Sequence, residues 1–252
     1  MLSLLIRFPA LPLAVALLLL AAPEPAFAMH IAEGLLPLPV ALFWFALAIP
    51  FVAFGVYTVT KRKKESPYYM PLVGIFGAAV FVFSCLPVPI PGVGATAHPA
   101  GTGFSAIFIG PFPSVVVAFI SLLLQGLFLA HGGISTLGAN TFSMGVLGAF
   151  AGYFAFRFSR LAGLNLFWAG FMAGVFADVF TYLGTSFALA SGLHGTGSYI
   201  GEVGSIFLLL LPYVVVLALI EGVITGGILV YVRKNRPDIL NRLRIAKPEE
   251  TQ

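Results

Sequence analysis

Cysteine and charge are both scarce in this sequence. One cysteine, Cys85, among 252 residues excludes a disulfide framework and a cysteine-based metal cluster. Asp, Glu, Lys and Arg make up 9% of the chain, where a soluble domain carries about 25%. No G-x-x-x-x-G-K-S/T loop occurs, so the chain has no ATPase site of that kind. There is also no H-E-x-x-H helix, and neither a Ser/His/Asp set nor a carboxylate pair stands out. Apolar residues are abundant instead: 60% of the chain is hydrophobic and the mean hydropathy is +1.04. These proportions indicate an all-α polytopic membrane protein, and the length fits one membrane domain.

The first 28 residues read as a segment apart from that domain. Arg7 is followed by an apolar run and then by Ala26-Phe27-Ala28, whose small residues occupy the minus-three and minus-one positions of an A-x-A cleavage site. The reading is a signal peptide over 1–28 and a mature membrane domain over 29–252 that begins Met29-His30 outside the cytoplasm. The alternative is an uncleaved first membrane helix, against which stand the shortness of the apolar run and the Pro23-Glu24-Pro25 break.

Apolar spans cover 39–60, 69–86, 137–156, 164–190 and 205–232. The region 103–131 is too long for one span and is interrupted by Gly110-Pro111-Phe112-Pro113, where proline predicts a break into two segments. About seven membrane segments result, the piece near 103–110 being too short to cross alone and needing shelter from its neighbours. With the mature N-terminus outside, this count puts the C-terminus in the cytoplasm. It also places the twelve basic residues that remain after Arg7 on the cytoplasmic side, as the positive-inside rule requires. Membrane lipid accounts for their charge, and nothing calls for nucleic acid.

The same count brings His30, His98, His131 and His194 to the outer face. A free N-terminus with histidine second offers an α-amine, the amide of residue two and an imidazole, which close fused chelate rings around one divalent ion. A nitrogen from a loop histidine completes a planar four-nitrogen set, a geometry suited to late divalent metals. Capture weakens as pH falls, because protons compete for the donors. A histidine in the Pro- and Gly-rich stretch 86–103 can equally be a hydrogen-bonding structural residue.

These residues carry a resemblance. Met29-His30-Ile31-Ala32-Glu33-Gly34-Leu35-Leu36-Pro37, then Ala41-Leu42-Phe43-Trp44, is similar to the opening of the CbiM/NikM family, the substrate-capturing S components of energy-coupling factor (ECF) importers for cobalt and nickel. Ala97-His98-Pro99-Ala100-Gly101-Thr102-Gly103 resembles its S-H-P-T-G-T-G loop, with Ala97 and Ala100 standing where the family often has Ser and Thr. The stretches 129–145 and 176–182 are similar to further signatures, so the likeness runs over the whole mature chain.

The resemblance implies that metal is held by the amine of Met29, the amide and imidazole of His30, and the imidazole of His98. It implies no resident cofactor and no enzymatic activity. The chain would serve Co(2+) uptake for cobalamin biosynthesis, from the plasma or inner membrane of a prokaryote, with its metal site facing outside. Ni(2+) is the alternative cargo, and a membrane metalloenzyme with an outward histidine site is the rival of another class. The implied partners are a transmembrane T component, two cytoplasmic ATP-binding subunits and a small accessory membrane subunit.

Polar residues elsewhere supply candidates for the surroundings of the metal. Asp178 falls mid-span, where an ionised carboxylate costs about 2.5–3.5 kcal/mol on insertion scales, and pairing with Thr181 or Tyr182 or attraction of the cation would explain it. Asn140 and Thr141 are expected near the start of a helix, where capping is the plain role. His131 and His194 are expected to gate the site or fix its loops rather than bind metal. Glu221, in the last span, reads as structural. The pairs Gly148/Gly152, Gly170/Gly174 and Gly222/Gly226 read as close helix packing within the bundle.

Overall fold

The computed structural model describes residues 27–28, 30–86, 88–90 and 95–245. The expected signal segment lies outside these apart from Phe27 and Ala28, and so does Met29. Among the described residues the regular structure is helical apart from three strands of two or three residues. Helix α1 spans Leu38–Glu65, α2 Tyr69–Ser84, α3 Thr102–Ile109 and α4 Pro111–Phe128. Then α5, Leu137–Asn140, runs into a π-helical stretch Thr141–Gly148 and on into α6, Ala149–Leu161. Helices α7, Leu166–Leu193, and α8, Tyr199–Asn235, precede a short α9, Pro237–Arg242.

Four of these helices, α1, α4, α7 and α8, are long and apolar enough to cross a membrane. The 28 residues of α1 extend about 42 Å, more than the roughly 30 Å of a bilayer core. Apolar side chains cover the outside of the bundle, among them Leu42, Phe43, Phe54, Leu208 and Val215, while Ser84, Thr102, Ser105, Ser114, Gln125 and Asp178 are buried within it. This inversion of a soluble protein's pattern follows from a solvent of hydrocarbon, in which every polar group must find its partners inside the protein.

The expected break in 103–131 is present. Helix α3 ends at Ile109 and α4 begins at Pro111, with Gly110 between them at φ 92°, a conformation that only glycine adopts without strain. All eight residues of α3 are buried, and at about 12 Å the helix is far too short to span. Its last carbonyl, Ile109 O, accepts from a cationic and a phenolic donor, Arg62 Nη1 at 2.7 Å and Tyr69 Oη at 3.1 Å. Arg62 thus carries a structural role beyond the topology read from its charge, opposing the negative end of the α3 dipole. Ser105 Oγ and Ser114 Oγ, 2.8 Å apart, tie α3 to α4.

Helices α7 and α8 pack through the glycine pairs read from the sequence. A Cβ on Gly174 would stand 2.6 Å from the Glu221 carbonyl oxygen, and one on Gly222 would stand 2.9 Å from the Phe171 carbonyl oxygen. Asn165 and Ser198 cap the two helices, their side chains accepting from Trp168 N and Gly201 N.

The Pro- and Gly-rich stretch 86–103 holds two of the three strands. Strand β3, Ala95–Ala97, lies between β1, Phe27–Ala28, in parallel and β2, Val88–Ile90, antiparallel. Pro89 is tolerated because β2 is an edge strand with no second neighbour needing its missing N–H. Ala28 pairs with Thr96, so the chain immediately before Met29 runs beside the segment leading into His98.

The glycine contacts give a direct test. Gly222→Val forces a branched side chain into the α7 backbone and is expected to cost about 1–3 kcal/mol, read as a lower unfolding temperature in detergent. Gly227→Ala, on the same helix with nothing within 4 Å, is expected to keep that temperature or raise it, alanine being the better helix former.

Candidate metal centre

Three segments far apart in sequence meet above α3. The first, 30–36, is sewn onto the second, 131–140. Ile31 N donates to Asn140 Oδ1 at 2.8 Å, and the Ile31 carbonyl accepts from Asn140 Nδ2 at 3.1 Å and Thr136 Oγ1 at 2.5 Å. Two residues on, the Glu33 carboxylate accepts from Ser135 N at 3.1 Å. Gly133 permits this close approach, since a Cβ there would stand 2.6 Å from Glu33 Cα. The third segment, 97–101, is held by Tyr182 of α7, whose hydroxyl accepts from His98 N at 3.2 Å, and by Glu221 of α8, which accepts from Ala100 N and Gly101 N.

The result is a cluster of imidazoles from the three segments. Ring centroids lie 4.5 Å apart for His30 and His98, 5.0 Å for His30 and His131, and 5.3 Å for His98 and His131. Each ring offers a ligand nitrogen within 4.8 Å of the others. Nε2 of all three is buried and has no hydrogen-bond partner, as expected of rings kept for a cation rather than for the fold. Nδ1 of His98 lies 3.0 Å from Pro99 O, so a proton on Nδ1 is donated to that carbonyl and Nε2 is left as the metal-facing donor.

Electrostatics keep the donors unprotonated. Burial lowers the His30 pKa well below its ordinary value, and repulsion from His98 and then His131 lowers it further. Burial brings His98 down to about 3 against the opposing pull of the Pro99 hydrogen bond, and it also lowers His131. A neutral imidazole is the form that binds a metal.

The structure distributes the sequence candidates unevenly. His30 and His98 come together, their rings edge to face. His131, expected to fix loops or gate, joins them with a free Nε2 because the backbone of 132–133 packs directly on 30–33. Asn140, expected as a cap, instead clamps both backbone groups of Ile31, and α5 has no side-chain cap. Thr141 is buried beside Phe45 and Gly138, in a groove between α1 and the π-helical stretch. His194 stands apart at the end of α7, its Nδ1 bound to Ala190 O at 2.7 Å and its ring edge-on to Tyr199.

Asp178 does not pair with Thr181 or Tyr182, because Thr181 Oγ1 donates to Ala177 O and the Tyr182 hydroxyl to His98 O. It lies fully buried beside Glu221. Gln125 of α4, which sequence reasoning passed over, is fully buried next to His30 and donates to Ser84 Oγ at 2.6 Å. Its signal was available, since a carboxamide in a membrane span has to face a polar interior.

A helical membrane bundle carrying an enclosed, unprotonated imidazole cluster defines a polytopic membrane protein with a candidate transition-metal site. Comparison with known proteins specifies the class further. The family profile CbiM, "Cobalt uptake substrate-specific transmembrane region", matches residues 30–239, and the chain belongs to this family. The cobalt transport protein CbiM of Sorangium cellulosum (strain So ce56) is 50% identical over 219 residues, which is 87% of this chain and 97% of that protein. The CbiM of Geobacter sulfurreducens (strain ATCC 51573 / DSM 12127 / PCA) is 46% identical over 221 residues, 88% of this chain and 64% of that protein. The crystal structure of a transition metal transporter superposes with a TM-score of 0.71 at 26% identity, over 85% of this chain and 99% of that one. The chain is accordingly a metal-uptake component of the membrane and not an enzyme, which removes the metalloenzyme considered from its sequence.

The neutral histidines make stability depend on pH. The unfolded chain takes up protons near the ordinary imidazole value of about 6.5, whereas buried His98 resists protonation down to about 3. As pH falls through that window the unfolded state binds more protons and stability is lost. The metal-free protein is expected to unfold at a lower temperature at pH 4.5 than at pH 7, with a smaller difference in His98→Ala.

Proposed function

We propose that the chain is the substrate-capturing S component of an ECF-type importer, taking Co(2+) at the outer face for ATP-driven uptake that supplies cobalamin biosynthesis. The observation that carries this reading is the convergence of three imidazoles, from His30, His98 and His131, each offering a ligand nitrogen within 4.8 Å of the others. Imidazole nitrogens suit late divalent ions and leave Mg(2+) and Ca(2+), which prefer oxygen, unattended. Cobalt rather than nickel is the proposed cargo because the matched relatives are cobalt transport proteins.

Signal cleavage after Ala28 completes the site in this reading. While Met29 is joined to Ala28 its nitrogen is an amide. Once freed it is an α-amine with a pKa of roughly 7.7–8.0, able to give a lone pair to metal beside the amide and imidazole of His30. The pairing of Ala28 with Thr96 supports it, because it sets the future terminus alongside the His98 segment.

Seven membrane segments, with the N-terminus outside and the C-terminus inside, complete the proposed topology. Arg62 and the site lie at opposite ends of α3, as a cytoplasmic basic cluster and an outward metal pocket require. Since the chain has no phosphate-binding loop, hydrolysis belongs to two cytoplasmic ATP-binding subunits, coupled through a transmembrane T component with a small accessory membrane subunit.

Four measurements bear on the proposal. Replacing His98→Ala is expected to abolish high-affinity cobalt binding by purified protein while expression persists; binding equal to the parent's would refute the ligand set. His131→Ala is expected to weaken binding about 10–100-fold. Blocking cleavage with large residues at Ala26 and Ala28 is expected to leave a precursor, recognised by N-terminal sequencing, that holds no metal. Competition between labelled Co(2+) and Ni(2+) in cells carrying the complete importer decides the cargo.

A further inference from the structure

Glu221 lies on α8, in the interior of the longest helix, and is 3% exposed. Its two carboxylate oxygens are committed to one purpose: Oε2 accepts from Ala100 N at 2.7 Å and Oε1 from Gly101 N at 3.1 Å. These are the second and third amides after His98. Gly101, the residue before α3, has φ 69° and no side chain of its own with which to cap the helix. The carboxylate therefore holds the loop where its backbone turns into the helix, at the positive end of the α3 dipole. On the other side of His98 the loop is held by the Tyr182 hydroxyl from α7. Asp178 of α7 approaches the same carboxylate, and Phe83, Pro99, Phe104 and Thr225 border it.

We propose that Glu221 is a positioning residue for metal capture: α8 grips the 98–101 loop by its two amides and so holds His98 Nε2 against His30. The proposal rests on His98 being a metal donor, as argued above. Each of the two N–H groups is met by its own carboxylate oxygen. A carboxamide of the same size has one oxygen, and it turns an NH₂ donor toward the second amide. Glu221→Gln thus preserves volume while releasing one anchor and repelling it.

The test uses mature protein loaded with Cu(2+), a probe whose visible absorption and paramagnetic resonance report the number of nitrogens in its plane. Parent, His98→Ala and Glu221→Gln are compared, together with their Co(2+) affinities. The glutamine variant is expected to show a spectrum moved toward that of His98→Ala and cobalt binding weaker by about 10–100-fold, with an unfolding temperature near the parent's. A purely structural glutamate would lower that temperature and leave the spectrum of the folded fraction unchanged.

A parental spectrum and affinity in Glu221→Gln, beside an altered His98→Ala, overturns the positioning role alone. A parental spectrum in His98→Ala overturns the ligand reading and this proposal with it. Should the glutamine variant not fold, Glu221→Asp keeps the charge but draws both oxygens back by one methylene. It is expected to give the same altered spectrum, and a parental one overturns the proposal.

Discussion

The two hydrogen bonds between Asn140 and Ile31 fix where His30 can be. Ile31 is the first residue after the histidine, and both its N–H and its carbonyl are taken by one carboxamide, with Thr136 adding a second donor to the carbonyl. A two-point attachment removes translation and rotation together, which a single bond cannot do. In a chain whose terminus is proposed to bind metal, fraying is the chief threat, since the first residues of a domain are ordered only when tied down. The Glu33 to Ser135 contacts extend the same seam. His131 enters the cluster through this seam, because the residues that receive 30–36 are the ones that follow it.

The opposite wall of the pocket is built on another plan. The loop carrying His98 is suspended between α7 and α8, by Tyr182 and Glu221 respectively. Those helices are locked to each other by glycine contacts that bring backbone against backbone. A rigid pair of helices is thus the reference for a loop rich in proline and glycine, and the fully buried α3 is the strut beneath it. Site residues on loops achieve a precise geometry when a stiff scaffold holds the loop at more than one point. Here the scaffold is also the membrane-spanning part of the molecule, so that a shift of α7 or α8 is transmitted to His98 through backbone amides.

Polarity in this bundle is concentrated where water is absent. Nε2 of three imidazoles, both oxygens of Asp178 and several hydroxyls are buried without partners among the described residues. Such groups cost free energy in a dry interior, and the three imidazoles among them are gathered into one cluster, as cation binding requires. Neutral imidazoles make the compromise workable: they carry no charge that the apolar surroundings must accommodate, yet each presents a lone pair.

Much of this was legible in the sequence, for reasons of composition and spacing. Hydropathy and the scarcity of charge establish the membrane bundle, because no soluble core could bury so much apolar surface. Gly110-Pro111 marks the break between α3 and α4, since proline supplies no N–H and glycine alone accepts φ 92°. The paired glycines announced the α7–α8 contact. His30 and His98 stood in short motifs that local sequence preserves.

What sequence could not yield are relations between residues about a hundred positions apart. Asn140 reads as a helix cap and Glu221 as a structural acid until the chain is folded, when each meets backbone amides 109 and 120 or more residues away. His131 and His194 look alike in the sequence, both being lone histidines at helix ends. Only the packing of 132–133 on 30–33 turns one toward the pocket, while the end of α7 leaves the other bonded to its own helix. Local chemistry selects the elements and supplies the donors. Which donors share a pocket depends on where distant backbones cross, and tertiary structure alone decides that.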